Sequence, residues 1–538
     1  MPLRLRVAMA QINVIVGDLD GNARRIADAI TAAKAGGADL VTFPELAVTG
    51  YPPEDLLFRR SFIDGNLRAL RRLAPLAKDI AVIVGFVDRD KNGLYNAAAF
   101  LSNGRVDRVY RKMELPNYGV FDEKRYFVRG DRPQIVGVKG ARVALTICED
   151  IWETKSAVYL GHFDGKADLI VNISASPFHA GKQRVREALV AKIARKTRAA
   201  VIYHNLIGGQ DELVFDGGSM AAAASGKLIA RAKRFEEDLC FVNFSGKASK
   251  RPGRLPGRGE EVYTALVLGT RDYVRKNGFT KALIGLSGGI DSALVSCIAA
   301  DALGADNVLG VTMPSPFTST GTLRDALRSA ENLGIRCLNI GIEPLMRDYA
   351  GMLRGEFGSL PPGLAEENLQ ARIRGNVLMA LSNKFGHIVL ATGNKSEMAT
   401  GYCTLYGDMC GGFAPIKDVP KTLVFALARY RNRLSPKNVI PDSVLRRPPT
   451  AELRSNQKDQ DTLPPYPVLD RFLREYVERN ASIDEVVRHG VPRPVALKLS
   501  KMVQASEYKR RQAPPGVKIT PRAFGRDRRM PITNRCAP

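Results

Sequence analysis

The chain is 538 residues long, which excludes a single small module and calls for two large domains or about three to four average ones. With 45% hydrophobic and 25% charged residues it sits near the globular average, so wholesale disorder is excluded. Eighty Lys and Arg against 55 Asp and Glu leave a formal net charge of +25, which favours a polyanionic partner without choosing among nucleic acid, nucleotide phosphates and an acidic surface.

In chain order, the opening MPLRLRVAMAQINVIVGD is interrupted by Gln11 and Asn13 and reads as a strand rather than a signal peptide. Short strand-type runs then recur to about residue 245: DLVTFP, IAVIVGFV, NAAAFLS, ARVALTI, DLIVNIS and AAVIYHN. Helical patterns lie between them, one opened by Asp20 and running through GNARRIADAITAAKAGG, another over 182–198. Strands outnumber helices, which predicts a layered sandwich. The stretch KASKRPGRLPGRGEE is basic, rich in Pro and Gly and without apolar periodicity, so a first domain is placed over 1–246, a basic linker over 247–262 and a second domain over 263–538. After a helix near 260–277 come ALIGLS, DNVLGVTM, IRCLNI and HIVLAT, separated by helical stretches in the rhythm of a doubly wound parallel sheet. No stretch reaches transmembrane length. Seven irregularly spaced cysteines do not form a disulfide framework, and Cys403 and Cys410 lack a nearby His, so no zinc is assigned and a soluble, cytoplasmic protein is expected.

Three polar residues of the first half follow apolar runs: Glu45 after LVTFP, Lys112 after RVDRVYR and Cys148 after ARVALTI. A carboxylate near a thiol can take its proton, and an ammonium favours thiolate and stabilises the oxyanion formed when sulfur attacks a carbonyl. Together they can cleave an amide. The surrounding words FPELAVTGYPPEDLL, YRKMELPNYGVFDEKRYF and ICEDIWE resemble the nitrilase superfamily in order and spacing. That resemblance implies an α-β-β-α sandwich with Glu45 as general base, Lys112 as stabiliser of the oxyanion and thioester, Cys148 as nucleophile and Glu123 as an accessory carboxylate. In the glutamine-hydrolysing branch, the positions that hold the amide substrate match Tyr118, Ser176 and Lys182.

In the second half, LIGLSGGIDSALVSCIAAD reads as a strand, a loop of small and polar residues, and a helix beginning near Asp291. Gly288 and Gly289 let backbone N–H groups approach phosphate oxygens, Ser287 and Ser292 add hydroxyls, and the helix N-terminus favours negative charge. Asp291 is placed to hold Mg²⁺. No Gly-Lys-Ser/Thr ending follows, so γ-phosphate transfer is not favoured. The string SGGIDS resembles the N-type ATP pyrophosphatases, which cleave ATP between its α and β phosphates. HIVLATGNKSEMATGYCTLYGDMCGGFAPIKDVPKT resembles the NAD synthetase pattern. This implies Thr392 against adenosine, Glu397 as a second Mg²⁺ ligand, and Asp408 and Lys421 at deamido-NAD or its phosphates. By the same resemblance Asn368, Arg372 and the late Lys509 contact the dinucleotide, and Thr450 sits near the metal in a segment that closes over ATP.

The pairing of both halves is similar to the glutamine-dependent NAD synthetase family over nearly the full length. It implies hydrolysis of glutamine to glutamate and ammonia, passage of ammonia along a protected internal path, and amidation of ATP-adenylated deamido-NAD to NAD with release of AMP and pyrophosphate. It also implies at least a dimer, formed through the second domain. A competing reading takes the +25 charge at face value, as an RNA-modifying ATP pyrophosphatase with an appended amidase. No Cys motif or RNA-binding module accompanies it, so no specific nucleic acid and no membrane is expected as partner. A catalytically dead first half, acting only as an oligomerisation scaffold, is disfavoured because all three triad positions are occupied.

Overall fold

A computed structural model describes residues 3–152, 166–244, 253–454 and 457–536. The chain divides into two compact units, Met1–Pro256 and Gly257–Pro538.

The strands of the first unit are β1 (Arg6–Gln11), β2 (Leu40–Thr42), β3 (Ala81–Asp90), β4 (Gly93–Ser102), β5 (Arg105–Arg111), β6 (Gln134–Val138), β7 (Ala141–Ile147), β8 (Leu169–Ser174), β9 (Ala200–Asn205), β10 (Ile207–Gln210), β11 (Leu213–Asp216), β12 (Met220–Ala222), β13 (Leu228–Arg231) and β14 (Asp238–Asn243). They form two six-stranded sheets, ordered β14-β1-β2-β3-β4-β5 and β13-β12-β9-β8-β7-β6, and a β10-β11 ribbon. Each large sheet has three parallel strands, β1-β2-β3 or β7-β8-β9, flanked by antiparallel ones. Alternation along the strands divides their side chains between two faces. Val143, Leu145 and Ile147 of β7 meet Val7 and Met9 of β1 in a layer between the sheets. Ala144 and Ile170 turn the other way, onto Val190, Ile193 and Ala194 of α3 (Lys182–Thr197). On the other sheet, α1 (Leu19–Ala35) and α2 (Arg60–Leu73) lay Ile26, Ile30, Ile63 and Leu70 against Val41, Val82 and Val84.

The result is the expected α-β-β-α sandwich, with three apolar layers in which each fully buried aliphatic side chain contributes about 1.5–3 kcal/mol. Both sheets are covered on both faces, which is why their central strands read as continuous apolar runs. One local expectation is corrected. Asp18, not Asp20, opens α1, because its carboxylate accepts the Gly21 N–H and satisfies a donor that the first helical turn leaves over.

The second unit begins with α4 (Arg258–Lys276) and alternates β15 (Ala282–Gly285), α5 (Ile290–Leu303), β16 (Val308–Thr312), α6 (Thr320–Leu333), β17 (Arg336–Asn339), α7 (Glu343–Phe357), α8 (Leu364–Phe385) and β18 (Ile388–Leu390). All four strands are parallel, ordered β17-β16-β15-β18. The chain leaves β15 toward β16 and later returns to its other side as β18, so a crevice opens at the carboxyl ends of these strands, where ligands of such sheets bind. After β18 the unit is helical, with α9 (Lys395–Thr400), α10 (Lys421–Arg433), α11 (Tyr466–Leu473) and α12 (Arg493–Ala505). Leu469, Phe472, Leu499 and Val503 build a separate core there. Among the described residues no helix is long and apolar enough to cross a membrane, and all seven cysteines are free thiols.

Candidate active sites

In the first unit Glu45 lies in the turn after β2, Lys112 directly follows β5 and Cys148 directly follows β7, so strand ends of both sheets supply the three groups. The Lys112 ammonium donates to Glu45 Oε1 at 2.7 Å and to Glu123 Oε1 at 2.8 Å. None of the three carries more than 5% side-chain exposure. Glu45 Oε1 also accepts from Asn96 Nδ2 at 2.7 Å, and Oε2 from the Ala175 N–H at 2.8 Å. Tyr51 donates to Glu123 Oε1 at 3.0 Å. The Glu45 turn rests on β3 at Gly85, where an added Cβ would stand 2.3 Å from Leu46 N and 2.4 Å from Pro44 O, so only glycine admits this approach.

Cys148 itself has φ 40° and Leu46 has φ 48°. Non-glycine residues in this left-handed region store about 1–3 kcal/mol of strain each, held by the surrounding structure. Asp150 is a principal holder. Its carboxylate accepts from Ile147 N at 2.8 Å and Tyr110 Oη at 2.7 Å, and from Met113 N and Glu114 N at 3.2 and 2.9 Å. One buried group thus ties the Cys148 turn to the segment that follows Lys112.

Burial pushes the Cys148 thiol well above its ordinary value, the Glu45 carboxylate pushes it further, and Lys112 opposes both. The resting sulfur is therefore protonated, within the field of the Glu45 carboxylate. Burial works against the Lys112 ammonium, but Glu123 and Glu45 outweigh it and hold Lys112 charged. Glu123 is raised to about 7, by burial first, with Lys112 opposing and Glu45 adding. A protected thiol, a carboxylate and a fixed cation can cleave a carbonyl–nitrogen bond.

The three residues expected to hold the amide substrate lie as follows. Ser176 is buried beside Ala175, with its N–H on Asn205 Oδ1 at 2.9 Å and its carbonyl receiving Arg186 at 2.7 Å. Arg186 is wholly buried and paired with Asp216 at 2.6 Å. Tyr118 is exposed and donates to the Glu149 carboxylate at 3.0 Å. The Lys182 ammonium stands 4.3 Å over the Trp152 ring. Glu149 and Trp152 follow Cys148 closely, so both residues lie on the same turn as the thiol.

In the second unit, a cavity of about 290 Å³ lies at the carboxyl ends of the strands, bordered by the loop between β15 and α5. Gly288 has φ +79° and would set a Cβ 2.2 Å from Thr322 O, so the loop packs on α6 as only glycine can. Ser287, Gly288, Gly289, Asp291, Thr392 and Thr450 line this cavity, as do Glu397, Asp408 and Lys421. Asn394 caps α9 by accepting from Ser396 N and Glu397 N, and donates to Asp291 Oδ1 at 2.9 Å. The Lys421 ammonium joins the two acids, 2.5 Å from Asp291 Oδ2 and 3.0 Å from Glu397 Oε1. Burial raises Glu397 to about 7, with Lys421 opposing and Asp291 adding; burial likewise raises Asp408 to about 6.

The acids converge on a single cation, an arrangement of hard oxygen donors that suits Mg²⁺, which is usually bound by one or two carboxylates together with phosphate oxygens. Among the described residues no cluster of three or more His, Cys, Asp or Glu could hold a metal by itself.

Four residues expected at this site stand outside the cavity wall. Ser292 is buried and braces the loop, bonding to Ser287 Oγ and Gly289 O at 3.1 and 3.0 Å. Asn368 accepts from Thr404 Oγ1 at 2.7 Å. Lys509 is spent on the carbonyls of Gly401 and Cys403, each at 2.8 Å. Arg372 is exposed on α8 and donates to Leu405 O at 3.3 Å.

Arg374 lines the cavity instead, together with Arg447 and Glu452. Burial lowers Arg374 to about 10, with only the Glu452 charge opposing. Its helix presents Ala371, Arg374, Gly375 and Leu378 to the cavity, a three-and-four spacing that identifies the face; Arg372 lies two residues, about 200°, away.

The floor under α9 is a buried ion network. Lys395 donates to Glu478 at 2.7 Å and to Thr520 Oγ1 at 2.8 Å and pairs with Asp418 at 2.9 Å, with no side-chain exposure. Asp418 in turn accepts from Ile519 N and Thr520 N at 2.8 Å. Residues near 520 thereby hold the helix that carries Glu397.

Residues 6–248 match the carbon-nitrogen hydrolase family and residues 262–513 the NAD synthase family. A glutamine-dependent NAD(+) synthetase of Thermotoga maritima is 47% identical, covering 99% of each chain. One from Synechocystis is 46% identical, covering 98% of each. Among solved structures, glutamine-dependent NAD+ synthetase from Acinetobacter baumannii, in complex with ADP, is 41% identical with a TM-score of 0.81 and 98% of each chain covered. Likenesses of this depth run through both units and leave almost nothing of either chain unmatched, and they make this chain a member of the glutamine-dependent NAD(+) synthetase family.

Proposed function

We propose that the first unit hydrolyses glutamine and the second amidates deamido-NAD with the ammonia released. Cys148 Sγ attacks the side-chain amide carbon of glutamine as its proton passes to Glu45. The Lys112 ammonium faces the oxyanion that forms. The carbon–nitrogen bond then breaks, the Glu45 proton leaves with ammonia, and a glutamyl thioester remains on Cys148. Water attacks the thioester, giving its proton to Glu45, and glutamate departs with the thiol restored. Tyr118, Ser176 and Lys182 orient the substrate amide.

In the second unit, a carboxylate oxygen of the nicotinate ring attacks the α-phosphorus of ATP and pyrophosphate leaves. Ammonia adds to the adenylated carboxyl carbon, and AMP departs to give NAD. Ser287, Gly288, Gly289 and Ser292 shape the phosphate loop, Thr392 and Thr450 flank the nucleotide, and Arg374 offers the phosphates a half-buried guanidinium. Asp291 and Glu397 would hold Mg²⁺, which supplies charge neutralisation on the phosphates when bound. With these acids given to Mg²⁺, Lys421 would be free of them and available to a phosphate oxygen. Asp408 meets deamido-NAD directly. Asn368 and Lys509 act on it through the walls they fix, and Arg372 meets it beyond the cavity. A protected path carries ammonia, because its protonated form in bulk water cannot attack.

A second copy of the chain fits α7, which buries none of its residues and exposes Leu345, Tyr349 and Met352 at four- and three-residue spacing. No membrane or specific nucleic acid is needed, and a cytoplasmic setting suits the free thiols.

The observation that carries the reading is the Glu45–Lys112 pair at 2.7 Å, wholly buried at the same strand ends as Cys148. The test is NAD formation from deamido-NAD, ATP and Mg²⁺ with glutamine or with ammonium. Cys148→Ala should abolish the first and spare the second. Glutaminase activity in that variant, or loss of both activities in a folded protein, contradicts the reading.

A further inference from the structure

We propose that Asn96 is a positioning residue that decides which of two buried carboxylates carries the negative charge, making Glu45 rather than Glu123 the base of the amide-cleaving site. The inference rests on the reading of Glu45 as that base. Lys112 cannot make the distinction, since it bonds both acids at nearly equal length, 2.7 and 2.8 Å. The other neutral donors balance, the Ala175 N–H on Glu45 at 2.8 Å against Tyr51 Oη on Glu123 at 3.0 Å. Asn96 breaks the tie. Its Nδ2 stands 2.7 Å from Glu45 Oε1 and 3.5 Å from Glu123 Oε2. A hydrogen bond to an ionised carboxylate favours the ionised form, so the proton shared by the cluster is directed to Glu123.

Two features fix the amide in this role. Asn96 is fully buried in β4, and its carbonyl accepts the Lys112 N–H at 2.8 Å, so one strand residue sets both the backbone of Lys112 and the charge of its partner. Among the described residues its Oδ1 has no hydrogen-bond partner. Turning the amide over would aim that oxygen at the Glu45 carboxylate, which it would repel, so the fold leaves an acceptor unpaired to keep the donor on Glu45. The charged and titratable groups acting here come from several elements: Lys112 after β5, Glu123 and Tyr51 from the neighbouring turns, and Cys148 after β7. The rise of Glu123 to about 7 agrees with this division.

The test is the pH profile of kcat/KM for glutamine hydrolysis by the full chain, read as glutamate release. Asn96→Leu keeps the branched shape and removes the donor, so Glu45 takes a proton more readily. The acidic limb should move up by about one pH unit, lowering the rate about tenfold at any pH that lies on the limb, while the alkaline plateau stays within about threefold of the unaltered chain. Asn96→Ser, which also loses the bond, should move the limb in the same direction and serves if the leucine variant does not fold. A limb that stays in place in a folded variant, whether or not the rate falls uniformly, overturns the proposal. Glu45→Gln separates the two ideas. If it still hydrolyses glutamine, the base assignment itself is wrong; if it is inactive while the Asn96 profiles do not move, only the role of Asn96 is refuted.

Discussion

Replacing Lys421 by methionine tests how the second site holds its charges. The ammonium lies 2.5 Å from Asp291 and 3.0 Å from Glu397, and the three side chains are 3%, 17% and 18% exposed. Methionine keeps most of the length and leaves two acids facing one another without a cation. Removing one partner of a buried ion pair costs about 3–5 kcal/mol, and because these acids border a cavity the lower end applies, about 3 kcal/mol. At about 2–4 °C per kcal/mol for a unit of this size, its midpoint should fall by about 6–12 °C. Millimolar Mg²⁺ or Mn²⁺ without nucleotide should return at least half of that loss, since the acids are then open to the ion. In the unaltered chain, where Lys421 competes, the same ion should move the midpoint by no more than about 1 °C. Calorimetric unfolding with and without the ion reads both numbers, and the spectrum of free Mn²⁺ reports binding independently. An unchanged midpoint in Lys421→Met, or an equal ion-induced shift in both proteins, would refute this account.

Asp150→Asn keeps the size of the strut behind Cys148 but cannot accept from all four donors; a small misplacement of the thiol should cost glutamine hydrolysis about a hundredfold, while ammonium-driven synthesis continues. Equal loss of both activities would speak against a local role. Arg374→Ala should weaken ATP binding about tenfold or more by titration calorimetry, because it removes a charged hydrogen-bond donor from the cavity wall; an unchanged affinity would remove Arg374 from the site. Burial lowers His204 to about 3, so its unfolded form binds the extra proton and the first unit should lose stability as pH falls below about 6.5. His204→Gln should flatten the dependence of the unfolding midpoint on pH between about 6.5 and 4. The same slope in both proteins would exclude His204 as its source.

Much of the architecture is legible in the sequence because both sheets of the first unit and the sheet of the second are covered on both faces, and that condition writes itself as apolar runs between turn residues. Asp18 shows the usual limit at a boundary, where two acids two residues apart compete for one cap and only the backbone turn decides. The local words SGGIDS and ICEDIWE pick out loops, yet the partners of those loops lie far along the chain. Asp291 meets Asn394, 103 residues later, and Lys421, 130 residues later, across separate elements. No local pattern reports that Lys421 bridges two acids. The spacing of Ala371, Gly375 and Leu378 marks the face of α8 that carries Arg374 to the cavity, whereas the motif by itself points to Arg372. Asn96 leaves no signal at all beyond a polar residue inside an apolar strand.

The network around Lys395 has a consequence for how the molecule comes into being. The anchors of the helix bearing Glu397 are complete once Thr520 reaches Asp418 and Lys395, and Thr520 lies 125 residues beyond Lys395. At about 5–20 residues per second, translation of that interval alone takes roughly 6–25 s. The first unit, whose last strand ends at Asn243, has by then long left the ribosome and can fold. The network around Lys395 is therefore completed late: a nascent or prematurely released chain can present a whole first unit, while the helix that carries Glu397 still lacks the Thr520 contact beneath it.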